Sequence, residues 1–218
     1  MARLAHLVAI VAIAALVGGC GITSTVETSR QLEDGDMVLS TNFGWPGYLF
    51  LLPRVKLLAM YGVGDHSDIN VHAGLNRTSV NAGMGGRIYP ADWLTVGING
   101  DIERLGAESS LRGVPVEGQL LTTVTPRIIT PTDDFQTWYG GVESNILFNF
   151  GDGMPEAHSP FFAHKFGVVG GFDYLFTKRG LHAEIALSLI SFDHAVDDGG
   201  LVPSAQFTVG GYLYNPFH

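Results

Sequence analysis

Two kinds of side chain in this sequence can do covalent or coordination chemistry: a single thiol, Cys20, and eight histidines. His66 and His72 flank one candidate hairpin, and His158 and His164 bracket another. No pair stands at a metal-ligand spacing with a third ligand in reach, so no metal site is expected. Ser188, His182 and Glu184 fall on one face of a candidate strand and make a Ser-His-acid set on paper. Alternation places many unrelated triples in the same way, so no catalytic residue is assigned. The acidic stretch around Asp193, Asp197 and Asp198 has the oxygens for a divalent cation, but reads first as a solvated loop. Gly83-Met84-Gly85-Gly86 lies inside an alternating segment with no helix behind it, which argues against a phosphate loop. The expectation is a protein that is not an enzyme and carries no metal or cofactor.

The thiol is more informative. Leu4 to Val17 is apolar except for His6, after a weakly positive start at Arg3. A helix of that length spans about 21 Å, too short for a hydrocarbon core of about 30 Å, and the pattern is that of a signal peptide. The run Val17-Gly18-Gly19-Cys20 resembles the lipobox of bacterial lipoproteins. That resemblance implies a diacylglyceryl thioether on Cys20 and cleavage just before it. Gly21 follows where Asp would favour retention in the inner membrane, so by the same analogy the destination is the outer one. The chain divides accordingly into a signal peptide (1–19), a lipidated polar tether (20–35) and a folded domain (36–218).

Without residues 1–19 the chain carries 11 basic and 21 acidic residues, and no basic run. Nucleic acid is therefore not an expected partner. Only 15% of residues are charged, against about 25% in ordinary soluble domains. Lysine occurs only at Lys56, Lys165 and Lys178, whereas glycine occurs 29 times. This is a poor composition for a surface bathed in water on all sides.

From residue 36 onward the hydropathy period is two, as in Ser79–Ile88 and Trp93–Ile102. Ten segments are predicted as strands: 36–44, 52–63, 68–75, 79–89, 93–104, 115–129, 135–150, 160–176, 181–192 and 203–214. Turn formers separate many of them, among them Gly64-Asp65, Pro90-Ala91-Asp92 and Lys178-Arg179-Gly180. The predicted fold is all-β, a single up-and-down antiparallel barrel of about ten strands, of the transmembrane type. Closure removes the exposed edges. Connections on the side of the termini are short, and four of the five on the other side are longer, as transmembrane barrels arrange them; the connection after the third strand is the exception.

One face of these strands is polar. It carries Arg54, Lys56, Asp68, His72, Arg87, Asp101, Glu117, Arg127, Glu143, Lys165, Asp173 and Glu184, together with Asn70, Asn81, Asn99, Asn145, His182 and Gln206. Near-balanced charge among small residues suits a crowded interior in which charges persist because they are paired. The other face is apolar, with His164 its one ionisable exception. Aromatic residues gather near strand ends (Trp45, Tyr48, Tyr61, Tyr89, Trp93, Trp138, Tyr174, Phe176, Tyr212, Tyr214), as in interfacial girdles.

In this architecture residues 36–218 resemble small bacterial outer-membrane β-barrels, without a specific motif. Tyr212, Tyr214 and Phe217 match the terminal strand of such proteins in part, but His218 ends the chain where they usually end in an aromatic residue. The expected role is structural, surface-interacting or that of a narrow conduit, in contact with outer-membrane lipid and with room for a protein partner at the long loops. Two other readings stay open: a lipid-anchored soluble barrel that binds an apolar ligand, and a lipid-modifying hydrolase. The soluble reading requires Val96 and Ile98 to point inward and Asn99 and Asp101 to face water.

Overall fold

A computed structural model describes residues 28–216 apart from 47–53, 76–78, 106–109, 112–113, 116–117, 132–134, 151–160 and 193–200. The chain forms β1 (Met37–Pro46), β2 (Arg54–Gly62), β3 (Ser67–Leu75), β4 (Ser79–Ala91) and β5 (Leu94–Leu105). A small pair follows, β6 (Ser110–Leu111) and β7 (Val114–Pro115). The last five strands are β8 (Gly118–Pro131), β9 (Gln136–Phe150), β10 (Phe161–Phe176), β11 (Arg179–Phe192) and β12 (Leu201–Tyr214). Ten of the twelve close into one antiparallel barrel in the order β1-β12-β11-β10-β9-β8-β5-β4-β3-β2. The closing seam pairs β1 with β12, from Val38 opposite Tyr214 to Pro46 opposite Gln206. The predicted ten-stranded meander is thus the observed fold.

Two local differences have physical causes. The sixth predicted strand, 115–129, begins later, at Gly118, because Pro115 belongs to the β6–β7 pair. The expected turn at Pro90-Ala91-Asp92 shrinks to Asp92-Trp93, since β4 runs on to Ala91. The β4–β5 register shifts between Ile88 and Ala91, where Pro90 has no N–H to give to the ladder.

Burial follows the alternation with the soluble sense inverted. Ile98 is 56% exposed, while Asn99 and Asp101 are 2% and 4% exposed. Leu57, Ile69, Val71, Ile102, Ile146, Phe166 and Ile185 also face outward. The apolar set is therefore outside and the polar set inside, the pattern of a transmembrane-type barrel and the opposite of what a water-soluble barrel requires. His164 points outward as expected, its Nε2 2.9 Å from the Ser144 hydroxyl.

The aromatic girdle needs correction. Tyr61, Trp93, Trp138 and Phe176 are exposed, but Tyr89 and Tyr212 are only 3% exposed and lie within the barrel. The Tyr89 hydroxyl finds its polar partner inside, on Asp68, while the Tyr212 ring packs in a buried apolar cluster with Leu32, Val38, Leu58 and Met60. Tyr48 lies outside the described residues.

Candidate functional site in the charged lumen

Alternation fixes which side chains enter the lumen, and register fixes which of them meet. Asp68 on β3 stands directly opposite Arg87 on β4. Arg87 Nε donates to both Asp68 carboxylate oxygens, at 3.1 and 3.0 Å, and its Nη2 donates to Oδ2 at 2.5 Å. Tyr89 OH donates to the same Oδ2. A second kind of contact crosses an intervening strand. His72 on β3 is opposite Gly83 on β4, and Gly83 is opposite Asp101 on β5. With no side chain at Gly83, the imidazole passes over it to reach the Asp101 carboxylate. A Cβ at Gly83 would lie 2.4 Å from His72 Nε2, so this glycine is needed for close approach. Asn70 reaches Asn99 over Gly85 in the same way, at 2.9 Å. Tyr139 reaches Glu184 over Gly171, at 3.0 Å.

The remaining charges complete the filling. Arg54 donates to Glu103, which also accepts from Ser79 Oγ at 2.5 Å. Lys56 Nζ is 3.5 Å from Asp101. Arg127 donates to Glu184 at 3.2 Å and lies 5.3 Å from the Tyr139 ring centroid. Lys165 Nζ is 2.6 Å from Glu143. Five ion pairs that hold both charges out of water therefore run through the barrel, among the described residues. Burial of this kind persists only with close pairing. Apolar side chains fill between them, with Ile129, Tyr139, Val169 and Ala186 forming one inward cluster.

Asp173 is different. Its Oδ2 accepts from the backbone N–H of Ser29, from Ser29 Oγ at 2.5 Å and from Thr28 Oγ1 at 3.1 Å. The donors belong to the stretch expected to be part of a free tether over 20–35. Residues 28–33 instead lie across the barrel mouth at the end that holds the termini. Arg87 donates to the carbonyls of Thr28 and Arg30, the latter at 3.0 Å. Leu32 is buried with Val38, Leu58, Met60 and Tyr212, and its N–H donates to Tyr89 OH at 3.1 Å. At the rim, Arg30 donates to Phe135 O at 2.7 Å, and Gln31 donates to Ala91 O at 3.0 Å. The segment is therefore clamped to the barrel on several sides. A short polar stretch enters a barrel because the lumen offers partners for its backbone groups, which a free linker would leave to water.

Of the residues singled out in the sequence, Arg54, Lys56, Asp68, His72, Arg87, Asp101, Arg127, Glu143, Lys165, Asp173 and Glu184 are buried in the lumen. Glu117 and Cys20 lie outside the described residues, as does the acidic stretch at 193–198. Glu103 was not singled out, although Asn99 and Asp101 on the same face point to it. Thr28, Ser29 and Leu32 gave no periodic signal. The paper triad does not assemble. Glu184 is held by Arg127 and Tyr139, and Ser188 Oγ donates to Glu143 at 3.5 Å. Neither ring nitrogen of His182 has a hydrogen-bond partner, and its ring stacks on Tyr212 at 6.2 Å. Ser188 and His182 are also six residues apart on β11, roughly 20 Å along the strand. Among the described residues no three His, Cys, Asp or Glu side chains are grouped to hold a metal.

No family model matches the chain, and no curated protein matches it. Solved structures similar to it include the KdgM porin, with a TM-score of 0.42, 9% identity, and 83% of this chain and 99% of that chain covered. The NanC porin has a TM-score of 0.42 at 10% identity, covering 80% and 98%. The outer membrane protein OprG from Pseudomonas aeruginosa has a TM-score of 0.36 at 12% identity, covering 84% and 96%. At these identities and scores nothing about activity passes to this chain, and its fold rests on its own strand register and closure: a closed ten-stranded transmembrane-type β-barrel with a charged interior.

Proposed function

We propose that this chain is a lipid-anchored β-barrel of the outer membrane that carries no solute flux. It serves as a membrane-embedded scaffold, presenting the connections of its far end to a partner. The observation that carries this reading is the closed lumen, filled by five buried ion pairs and crossed at one mouth by residues 28–33. The apolar exterior supports the bilayer as its surroundings, because contiguous apolar surface of this extent is not left in water. With the terminal end on the periplasmic side, its three described turns, 63–66, 92–93 and 177–178, are four, two and two residues long. The far-side connections at 47–53 and 151–160 are seven and ten residues long. Lipid on Cys20 follows from the lipobox resemblance.

The test is electrophoresis of carbonate-washed outer membranes with and without boiling, joined to planar-bilayer conductance of the purified chain. A boiling-dependent shift, retention of Cys20→Ala in the washed pellet, and conductance at baseline are the expected results. Release of Cys20→Ala from the pellet with no shift would overturn the bilayer-spanning reading, and steady conductance would overturn the closed lumen in favour of a narrow conduit.

A further inference from the structure

The outer wall carries a concavity that closure of the lumen does not explain. Outward positions at the seam form two adjacent rows across β11, β12, β1, β2 and β3. One row runs Leu181, Gly211, Thr41, Leu57 and Ala73; the other runs Arg179, Leu213, Leu39, Ala59 and Val71. The small members make a floor and the leucines and valine make walls, enclosing a groove of about 770 Å³. Followed around the curved wall across five strands, it covers about 19 Å at roughly 4.8 Å per strand spacing, a path long enough for one membrane acyl chain to lie along. Arg179 is its only charged lining residue, exposed at the terminal-side end. Arg179 stands opposite the exposed Phe176 at the last pair before the β10–β11 turn, at the terminal-side rim of the apolar outer band, where headgroups lie when such a barrel spans a bilayer. A guanidinium at headgroup depth beside an apolar groove matches a phosphate joined to an acyl chain, and offers paired N–H donors to its oxygens.

We propose that this groove holds one anionic phospholipid, with an acyl chain across β11–β3 and its phosphate on Arg179. The inference rests on the bilayer-spanning reading, whose failure is read separately as loss of the boiling-dependent shift. The experiment is native mass spectrometry of the full chain released from detergent. Three probes are compared: dipalmitoyl phosphatidylglycerol, the corresponding diacylglycerol, and inorganic phosphate. The expected result is one retained phosphatidylglycerol and neither of the other two. Arg179→Ala lowers retention about tenfold, the ratio for one lost charge-assisted hydrogen bond. Gly211→Leu fills the groove and lowers retention at least as far; a Cβ there meets nothing closer than 3.7 Å, and the boiling-dependent shift checks that the variant barrel still forms. Gly140→Leu, outward on β9 away from the groove, leaves retention unchanged and controls for folding; a Cβ there meets nothing closer than 3.9 Å. Retention indifferent to Arg179 and Gly211, or equally sensitive to Gly140, overturns the site. Binding of inorganic phosphate alone assigns Arg179 to a free anion and overturns it too.

Discussion

The two ends of this lumen are filled by different means. Toward the far end, among the described residues, wall side chains pair with one another: Arg54 with Glu103, and Lys56 and His72 with Asp101. At the terminal end the filling is made of main chain, with Thr28 to Leu32 drawn against Arg87, Tyr89 and Asp173. A charge balanced by another wall charge is fixed once the barrel closes. A carboxylate whose one oxygen accepts from backbone and hydroxyl donors depends on a segment that is covalently continuous with the chain but outside the sheet. The wall pairs can be removed only by substitution, the terminal segment by truncation.

The largest effect should come from splitting a buried wall pair. Glu143→Leu alone takes away the carboxylate 2.6 Å from the buried Lys165 Nζ and should cost about 3–5 kcal/mol of unfolding free energy. The double variant with Lys165→Met should recover most of that loss in urea titrations of vesicle-inserted protein. A double variant no more stable than the single would mean that the pair does not act as a unit.

Removal of residues 28–33 sharpens the same contrast. Conductance should stay at baseline while the far-end pairs remain, and should appear only when Arg54, Lys56, Asp101 and Glu103 are also replaced by Ser. Steady current through the truncated chain alone would place the whole barrier in the segment. A milder change, Asp173→Asn, keeps an acceptor for Ser29 but loses the charge. It should cost about 1–3 kcal/mol and speed proteolysis between residues 28 and 33, leaving strand protection unaltered.

Two smaller effects concern the rim. Burial raises the Asp36 pKa, but hydrogen bonds from Asn215, Tyr214 and the Glu33 N–H outweigh it and hold the carboxyl below its ordinary value. A depressed folded-state pKa contributes stability above the unfolded value, lost as pH falls through the folded one. Amide exchange at Met37 and Asn215 should therefore quicken only below about pH 4, and Asp36→Asn should flatten that dependence. Thr177 holds φ 57° in the two-residue β10–β11 turn, unfavourable for a β-branched residue. Thr177→Gly should raise stability by up to about 1 kcal/mol, and a loss would show that the threonine side chain makes a compensating contact.

The barrel was legible in the sequence because alternation is local. Residues 93–104 sort Ile98 from Asn99 with no knowledge of any other strand, and Arg54 to Glu184 were placed inside by the same reasoning. Girdle assignment worked for Trp93 and Trp138 but not for Tyr89 and Tyr212, because an amphipathic ring near a strand end suits either face. Which one it takes depends on what awaits it inside: a carboxylate for Tyr89 and an apolar cluster around Leu32 for Tyr212.

The sequence by itself determined the period, the strand number, the inverted sense of the two faces and the set of charges that had to be neutralised internally. Tertiary structure alone decided the pairings. Arg54 finds Glu103, 49 residues away, and Tyr139 finds Glu184, 45 away, across a glycine on the strand between. Those meetings depend on register and closure, which couple distant strands and leave no mark on any single one. It alone, too, drew residues 28–33 out of the expected tether and across the barrel mouth, since their backbone N–H and C=O groups found partners only once Asp173 and Arg87 faced the same mouth.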